Sequence, residues 1–142
     1  MTIELVPLCT ATISLAEPIL IPGTPTGMRV IVEVEAWAVA GERITARMKG
    51  AAAADWMTVD ANMIGTIDAR GLLETDDGAL VYTWYQGRLD LSQGPGTSPA
   101  YAAPLYETGD ERYAWLNKVQ AVGKGVLSDD GRQLVYEICE VR

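Results

Sequence analysis

Hydrophobic and polar residues alternate along several stretches of this chain, as they do in β-strands that bury one face. The clearest stretch is MRVIVEVEAWAV at 28–39, in which strict alternation puts Glu33, Glu35 and Trp37 on the face opposite the valines. Similar, shorter patterns predict strands at 3–13, 43–49, 62–70, 79–86 and 133–141. The chain is therefore predicted to be mostly β.

Turn signals separate these strands. TDDG at 75–78 and SDDG at 128–131 are turns of the Asp-Gly kind, and Gly41 begins a turn that joins two strands as a hairpin. The stretches 18–27 and 90–104 are rich in proline and glycine and are predicted to be loops. Repeated strands with a turn every 8–12 residues or so, roughly the spacing of all-β folds, indicate a closed antiparallel barrel or a sandwich.

One segment fits two structures. The stretch DERYAWLNKVQAVGKG at 110–125 can form a helix capped by Asp110, with an apolar stripe along one side. It can equally form a strand that puts Tyr113, Trp115 and Asn117 on one face. Helix and strand propensities leave both interpretations open at this point.

Composition indicates a soluble, globular protein and excludes several partners. The 142 residues fit one domain spanning 1–142. The net charge of −8 argues against nucleic acids and anionic membrane surfaces, since both bind clusters of Lys and Arg. No apolar run reaches the ~18 residues of a membrane span, and the first residues lack the basic start of a signal peptide. We therefore expect a cytoplasmic protein.

The absence of histidine limits the chemistry. It removes Ser-His-Asp and Cys-His catalysis and most transition-metal sites. Cys9 and Cys139 are interpreted as two free, buried thiols, and a disulfide that joins the terminal strands is the minor alternative. Without histidine, two thiols make a poor zinc site. The sequence contains no dinucleotide fingerprint, so we expect neither a metal nor a cofactor. Acid–base chemistry would come from Asp, Glu, Tyr, Lys, Cys or bound water.

The strand–turn–strand segment at 67–84 carries the candidate catalytic site. Asp68 and Arg70 share one face of its first strand, because side chains two apart point the same way. If that face turns into the lumen of a barrel, Asp68 is a candidate base and Tyr82 a candidate acid, with Asn117 beside them. A buried ion pair that fixes the strand register and plain exposure to solvent are the alternatives.

Aromatic residues supply the candidate substrate contacts. The chain has four Trp, six Tyr and no Phe, so most of its rings carry a polar tip. Such rings suit a pocket for an aromatic or polyketide-like molecule, and they also suit half-buried barrel walls. The candidate binding residues are Glu35, Trp37, Trp56, Arg70, Trp84, Tyr113 and Trp115. Asp55, beside Trp56, is predicted to cap a turn.

Five segments resemble a known family in their order and spacing. They are ADW (54–56), IDARGLLETDDGALVY (67–82), YETG (106–109), RYAWLN (112–117) and VYEICEVR (135–142). The chain resembles, over nearly its whole length, the bacterial and fungal family filed as domain of unknown function 3237. The resemblance implies an all-β, single-domain antiparallel β-barrel of the lipocalin or calycin type with little helix, often dimeric. It also favours a strand for 110–125, and it supplies no settled activity.

Departures from the family pattern suggest a different pocket. Family members usually have a Gly-Gly pair where this chain has Ala36 and Trp37, and aromatic residues where it has Cys9 and Cys139. If Trp37 points inward, its ring intrudes where the family leaves space. The resemblance then implies a reshaped pocket and a substrate that differs from those of most relatives.

Three classes of function remain. The first is a cofactor-free acid–base enzyme, an isomerase, cyclase or lyase, that acts on a hydrophobic, carbonyl-bearing molecule of phenolic or polyketide-like type. The second is a carrier for such a molecule, and the third is a structural subunit of a homodimer with a filled lumen. We favour the enzyme, because a carrier does not need Asp, Arg and Asn side chains facing one cavity. The expected partners are a hydrophobic small molecule and a second copy of the chain.

Overall fold

The computed structural model describes all 142 residues and contains eleven β-strands and one 3₁₀-helix, Glu111–Lys118. The strands are β1 (Leu5–Leu15), β2 (Ile19–Thr24), β3 (Gly27–Ala40), β4 (Thr45–Met48), β5 (Ala54–Val59), β6 (Ile64–Thr75), β7 (Leu80–Asp90), β8 (Ala100–Ala102), β9 (Leu105–Glu107), β10 (Ala121–Leu127) and β11 (Gln133–Val141). No helical segment has the length and apolar character that crossing a membrane requires.

Eight of the strands close into an antiparallel barrel, which confirms the predicted fold class. The order around the barrel is β1, β3, β5, β6, β7, β8, β10 and β11, and β11 pairs with β1 to close the ring. Three short strands extend it: β2 pairs with β3, β4 lies between β3 and β6, and β9 pairs with β7. A barrel of eight strands is just wide enough for side chains or one small ligand.

Side chains fill one end of the barrel. We call this the closed end; it carries the β3–β4 turn, the β6–β7 turn and the 3₁₀-helix. The helix buries Leu116 in the core, where the side chain is 1% exposed. Leu8, Val39, Leu73 and Tyr106 are buried in the same cluster. The opposite end, which we call the open end, has room for a ligand.

The segment 110–125 is not one strand. Its first part is the 3₁₀-helix, and a strand begins only at Ala121. Asp110 caps the helix, because its carboxylate accepts a hydrogen bond from the backbone N–H of Arg112 at 2.9 Å. The strand implied by the family resemblance is therefore wrong here, while the cap expected for a helix is present. Local side-chain-to-backbone hydrogen bonds decide the structure of this segment.

The proline- and glycine-rich stretches contain short strands, contrary to the predicted loops. Ile19 pairs with Ile31 and Leu20 with Val30, so β2 forms a hairpin with the first half of β3. The second stretch contains β8, which bridges β7 and β10. The two predicted Asp-Gly turns are present, and Gly78 has the positive φ of 90° that such a turn requires.

A β-bulge in β3 reverses the alternation that the sequence suggests. Ser14 of β1 pairs with Ala36, and the next residue, Leu15, pairs with Val34, so Glu35 has no opposing residue. Glu35 is exposed on the outside, whereas Trp37 turns into the lumen and is 5% exposed. The prediction that these two residues share a face is wrong, because one extra residue shifts every later side chain to the other face.

Candidate functional site

The open end of the barrel encloses an apolar cavity of about 430 Å³. Its wall is formed mainly by β1, β3, β5, β6, β7 and β11, and 20 of its 26 lining residues are hydrophobic. Its mouth lies between the β5–β6 turn, the β7–β8 loop and the β10–β11 turn, which contribute Met63, Pro95 and Asp130. Cavities of this size and character hold drug-sized molecules.

Three aromatic residues, Trp37, Tyr85 and Tyr136, form the floor of this cavity, and we call them the aromatic floor. They line both the large cavity and a small one of about 10 Å³ toward the closed end. The rings of Trp37 and Tyr85 meet edge to face with centroids 6.1 Å apart, and those of Tyr85 and Tyr136 do so at 5.8 Å. Such contacts fix the rings in place.

Two glycines make room for the aromatic floor. A Cβ atom at Gly71 would lie 2.7 Å from the ring of Trp37, and one at Gly125 would lie 2.6 Å from the ring of Tyr136. No larger residue fits at either position without moving a ring. The inward position of Trp37, which the sequence left open, therefore depends on Gly71 of the neighbouring wall.

Asp55 is the charged residue of the cavity wall. It lies on β5, whose alternation turns Asp55, Met57 and Val59 into the lumen and Trp56 outward. Asp55 pairs with Ala69 of β6, and Ala69 pairs in turn with Tyr85 of β7. The carboxyl group and the Tyr85 ring thus stand on either side of a small side chain, on the same wall of the cavity.

The carboxyl group of Asp55 takes part in the sheet itself. The ladder between β5 and β6 is interrupted at Trp56 and Met57. In this gap the backbone N–H of Asp68 donates a hydrogen bond to Asp55 Oδ1 at 3.0 Å, and Arg29 Nη1 donates to the carbonyl of Trp56 at 2.8 Å. One oxygen of Asp55 is thereby fixed, and Oδ2 makes no hydrogen bond within the protein.

Burial sets the proton affinities of the site. It raises the pKa of Asp55 from 3.8 to about 6, although the hydrogen bond from Asp68 opposes this rise. Burial raises the pKa of Tyr85 well above its ordinary value, and the neighbouring Tyr136 and Asp55 add to the effect. The pKa of Tyr136 is raised by burial and by Asp55. Asp55 can therefore exchange a proton near neutral pH, while both tyrosines stay protonated.

Two polar atoms of the aromatic floor have no hydrogen-bond partner. They are Nε1 of Trp37 and the hydroxyl of Tyr136, both fully buried. Leaving such a group unpaired costs about 1–3 kcal/mol, so buried polar groups without partners are rare. Neither atom exposes surface to the cavity, so a ligand oxygen reaches them only if the rings of the floor move. The donor that the floor offers to a ligand is the hydroxyl of Tyr85, which lies close enough to Asp55 for that carboxyl to raise its pKa.

Met63 holds a strained position at the mouth. It is the only residue other than glycine with a positive φ, 63°. Its carbonyl accepts a hydrogen bond from the backbone N–H of Leu91 at 2.9 Å, and its own N–H donates to the carbonyl of Asp60 at 3.0 Å. The bond from Leu91 ties the β5–β6 turn to the β7–β8 loop, and the bond to Asp60 closes the turn itself. Strain of this kind is concentrated at functional sites in many proteins.

The predicted catalytic residues lie outside the cavity. On β6 the inward residues are Ile67 and Ala69, so Asp68 and Arg70 point away from the lumen, and the expectation that they face it is wrong. Tyr82 also faces outward on β7, where its ring meets that of Trp84 at 5.0 Å. Because side chains along a strand alternate between its two faces, Asp68 and Arg70 either both face the lumen or both face outward.

The other predicted site residues are also separated from the cavity, except Trp37. Trp56 is on the outer surface and 43% exposed. Tyr113 donates a hydrogen bond to Asp77 at 2.9 Å at the closed end. The remaining ones are Glu35 on the outer surface, Trp115 beneath the guanidinium of Arg43, and Asn117, which binds the backbone of Thr108.

The sequence analysis missed Asp55, Tyr85 and Tyr136. A signal for Asp55 was present, since Ala53, Asp55, Met57 and Val59 alternate and make it a lone acid on an apolar face. The run of four alanines before it favoured a loop or a helical turn and hid this alternation. Asp55 therefore does not cap a turn; it is part of a strand.

Comparisons with known proteins give the family and the fold. The family model described as a protein of unknown function (DUF3237) matches residues 3–141. A UPF0311 protein from Rhodopseudomonas palustris is 28% identical in an alignment of 128 residues, with 82% of this chain and 82% of that protein covered. Both findings confirm the resemblance on which the predicted barrel depended.

Solved structures superpose over the full chain. A β-barrel-like protein from Acinetobacter baumannii has a TM-score of 0.85 at 29% identity and covers 100% of this chain and 98% of its own. A conserved protein of unknown function from R. palustris has a TM-score of 0.89 at 25% identity, covering 100% and 99%. A structure described as an enzyme from Penicillium herquei has a TM-score of 0.73 at 21% identity, covering 99% and 94%, and shares the fold.

Proposed function

The chain belongs to the family of proteins of unknown function DUF3237, and we propose that it is a cofactor-free acid–base enzyme. Its substrate is a hydrophobic molecule with a carbonyl group, of phenolic or polyketide-like type, bound in the barrel cavity. The reaction is a proton transfer that leads to isomerisation, cyclisation or a lyase step, with Asp55 as the base.

A single observation carries this proposal: a carboxyl group with a pKa of about 6 faces an otherwise apolar cavity. A general base works best when its pKa lies near the working pH. Perturbed carboxyl groups in clefts are also more frequent at functional sites than elsewhere. Asp55 replaces Asp68 as the candidate base, since the side chain of Asp68 is turned away from the cavity.

The step proceeds through an enolate. Asp55 Oδ2, which makes no bond within the protein, removes a proton from the carbon next to the substrate carbonyl. The electron pair of the broken C–H bond forms a C=C bond, and the π pair of the carbonyl moves to its oxygen. In an isomerisation the neutral carboxyl then returns the proton to another carbon. In a cyclisation the enolate carbon attacks a second carbonyl, whose oxygen takes the proton, and in a lyase step the expelled group takes it, so the Asp55 carboxylate is restored in each case. Asp55 Oδ1 stays bound to the N–H of Asp68, which keeps the carboxyl oriented.

The aromatic floor supports the negative oxygen of the enolate. Burial and the neighbouring Tyr136 and Asp55 raise the pKa of Tyr85, so the Tyr85 hydroxyl stays protonated and can donate to that oxygen. Donors within an apolar enclosure stabilise charge more strongly than donors in water.

A carrier is the second candidate. The 20 hydrophobic residues among the 26 that line the cavity favour it, since a carrier needs apolar surface and little else. In a carrier, the hydrogen-bond donors of the floor and the carboxyl group of Asp55 would only orient the bound molecule. The two candidates differ in one measurable property, which is turnover.

A deuterium-exchange experiment distinguishes the enzyme from the carrier without the natural substrate. A ketone such as 1-hydroxy-2-acetonaphthone is incubated with the protein in D₂O, and incorporation into its methyl group is followed by NMR. We expect catalysed exchange by the wild type and by Asp68→Asn, and loss of exchange in Asp55→Asn with binding retained. Binding without exchange in all three proteins would identify a carrier, and equal exchange by Asp55→Asn would overturn the assigned base.

A further inference from the structure

We infer that the cavity selects uncharged ligands and rejects carboxylates, so that the substrate reaches the protein as a free, neutral molecule. This inference rests on the proposed function and specifies the substrate class of the same site. It follows from the charges that line the cavity, those that surround its mouth and those that lie near it without lining it.

The cavity lining contains no cationic side chain. Its only charged residues are Asp55 in the wall and Asp130 at the mouth, and both are acidic. Sites for carboxylate or phosphate groups use the fork of arginine or the ammonium group of lysine, because desolvating an anion without a cation is costly. An anionic group inside this barrel would meet only apolar surface, neutral donors and another carboxyl.

The mouth adds fixed negative charge. Asp130 accepts hydrogen bonds from the hydroxyl of Ser128 at 2.6 Å and from the N–H of Arg132 at 3.0 Å. These bonds lower its pKa, so the carboxyl is ionised at neutral pH. Asp90, at the start of the β7–β8 loop, accepts a bond from the N–H of Ser92 at 2.9 Å, and its pKa is lowered too. Both carboxyls are exposed and Asp130 lies near the charge of Arg132, so solvent and this arginine weaken their repulsion of an approaching anion.

The arginines of the open end do not offset this charge inside the cavity. Arg29 donates to the carbonyl of Trp56 on the outer wall at 2.8 Å, and Arg88 donates to the carbonyl of Gly87 at 3.2 Å. Arg132 gives Asp130 its backbone N–H and is exposed to solvent. None of the three lines the cavity. Solvent screens such groups from a buried ligand.

Asp55 itself indicates how strongly the cavity disfavours a carboxylate. The rise of its pKa from 3.8 to about 6 means that its surroundings disfavour the charged form by roughly 100-fold. A ligand carboxylate at the same depth would meet the same surroundings, with the charge of Asp55 added. We therefore expect a carboxylate to bind at least about 100-fold more weakly than a neutral molecule of the same shape.

This selectivity restricts the order of reactions. A carbonyl compound that still carries a free carboxylate has to lose or mask it before it can enter the barrel. The class of reaction that supplies the substrate is thus a decarboxylation, or a ring closure or esterification that consumes the acid. The protein would act after that step.

Three naphthalenes of matched shape test the inference by calorimetry at pH 8: 2-acetylnaphthalene, methyl 2-naphthoate and 2-naphthoate. We expect the ketone and the ester to bind with similar affinity and the carboxylate at least about 100-fold more weakly. The difference in affinity between the ester and the carboxylate should narrow in Asp55→Asn. It should remain in Asp68→Asn, where the same type of side chain is replaced on the outer face. Removing the charge at the mouth with Asp130→Asn should narrow the difference slightly.

The outcomes separate this inference from the proposed function. Equal binding of carboxylate and ester would overturn charge selection and leave acid–base catalysis on ketones intact. A difference in affinity well below about 100-fold in Asp55→Asn would also overturn it, because the apolar wall alone would then not reject the anion. If none of the three compounds binds, the proposed function fails, and this inference fails with it.

Discussion

Asp55 and Asp68 are joined by a hydrogen bond although their side chains lie on opposite faces of the barrel wall. The backbone N–H of Asp68 donates to Asp55 Oδ1 at 3.0 Å across a gap in the ladder between β5 and β6. One carboxyl faces an apolar cavity, and the other faces outward. The same residue type therefore has two different chemistries at neighbouring positions, and only Asp55 can contact a ligand in the barrel.

Replacement of Asp55 by Asn should stabilise the protein at alkaline pH. The pKa of Asp55 is raised on folding, so the stability that its protonated form contributes is present below pH 3.8 and is lost as the pH rises through about 6. Asn stays neutral and can still accept the bond from Asp68. We expect Asp55→Asn to gain at most about 3 kcal/mol in free energy of unfolding at pH 8 relative to wild type.

Urea denaturation at several pH values checks this. The curves of wild type and Asp55→Asn should converge near pH 4 and separate above pH 6. Asp68→Asn, on the outer face, serves as the control and should show no comparable gain. A variant Asp55→Asn that is less stable than wild type at pH 8 would mean that the carboxylate is well solvated or paired.

Tyr85→Phe should separate binding from catalysis. The substitution removes the hydroxyl that we assign to the enolate oxygen and keeps the ring that contacts Trp37 and Tyr136. Loss of one such donor costs about 100-fold in rate or more. Deuterium exchange should fall accordingly while the dissociation constant of the ketone changes little. Tyr82→Phe, on the outer face of the same strand, is the matched control, and an equal loss in both variants would contradict the assignment.

The glycines behind the aromatic floor should not tolerate alanine. At Gly71 the new methyl group would lie 2.7 Å from the ring of Trp37, and at Gly125 it would lie 2.6 Å from that of Tyr136. Overpacking of this kind costs about 1–3 kcal/mol and would move the rings into the cavity. The midpoint temperature of thermal unfolding and the affinity for the ketone should both be lower in each alanine variant. Gly109→Ala has open space around it and should behave as wild type.

We expect Asn117 to contribute to the stability of the protein and not to catalysis. Its amide group donates to the carbonyl of Thr108 at 3.0 Å and accepts from its N–H at 2.8 Å, which fastens the 3₁₀-helix to the chain just after β9. Because the site is exposed, we expect Asn117→Ala to lose only about 1 kcal/mol of stability. Exchange activity of the folded variant should be unchanged. A loss of activity without a loss of stability would return Asn117 to the list of catalytic candidates.

The all-β fold could be predicted from the sequence because alternation and turn signals agree along most of the chain, while the choice of a barrel over a sandwich depended on the family resemblance. Strand β11 begins and ends where the pattern places it, and the two Asp-Gly turns are present. The lumen-facing set was harder to predict. The unpaired Glu35 shifts Trp37 to the inside, and a bulge has no signature in the alternation of hydrophobic and polar residues.

The candidate site was harder to predict, because it depends on which face of each strand turns into the lumen. A single sequence does not determine that choice. Asp68 and Arg70 were chosen because they are charged and two residues apart, yet the apolar residues between and beside them are the ones that pack inward. In a closed barrel the choice of face follows from the whole ring of strands. Tyr85 and Tyr136 meet only because the barrel closes β7 and β11 around one lumen.

Measurement of the pKa of Asp55 tests the central claim most directly. Carboxyl signals of the protein labelled with ¹³C-aspartate are followed by NMR through a pH titration, and Asp55→Asn identifies the signal. We expect a midpoint of about 6 in the free protein, and a higher one when 2-acetylnaphthalene fills the cavity and displaces water. A midpoint near 4 that does not move with the ketone would mean that this carboxyl is solvated and is not the base of a dry cavity.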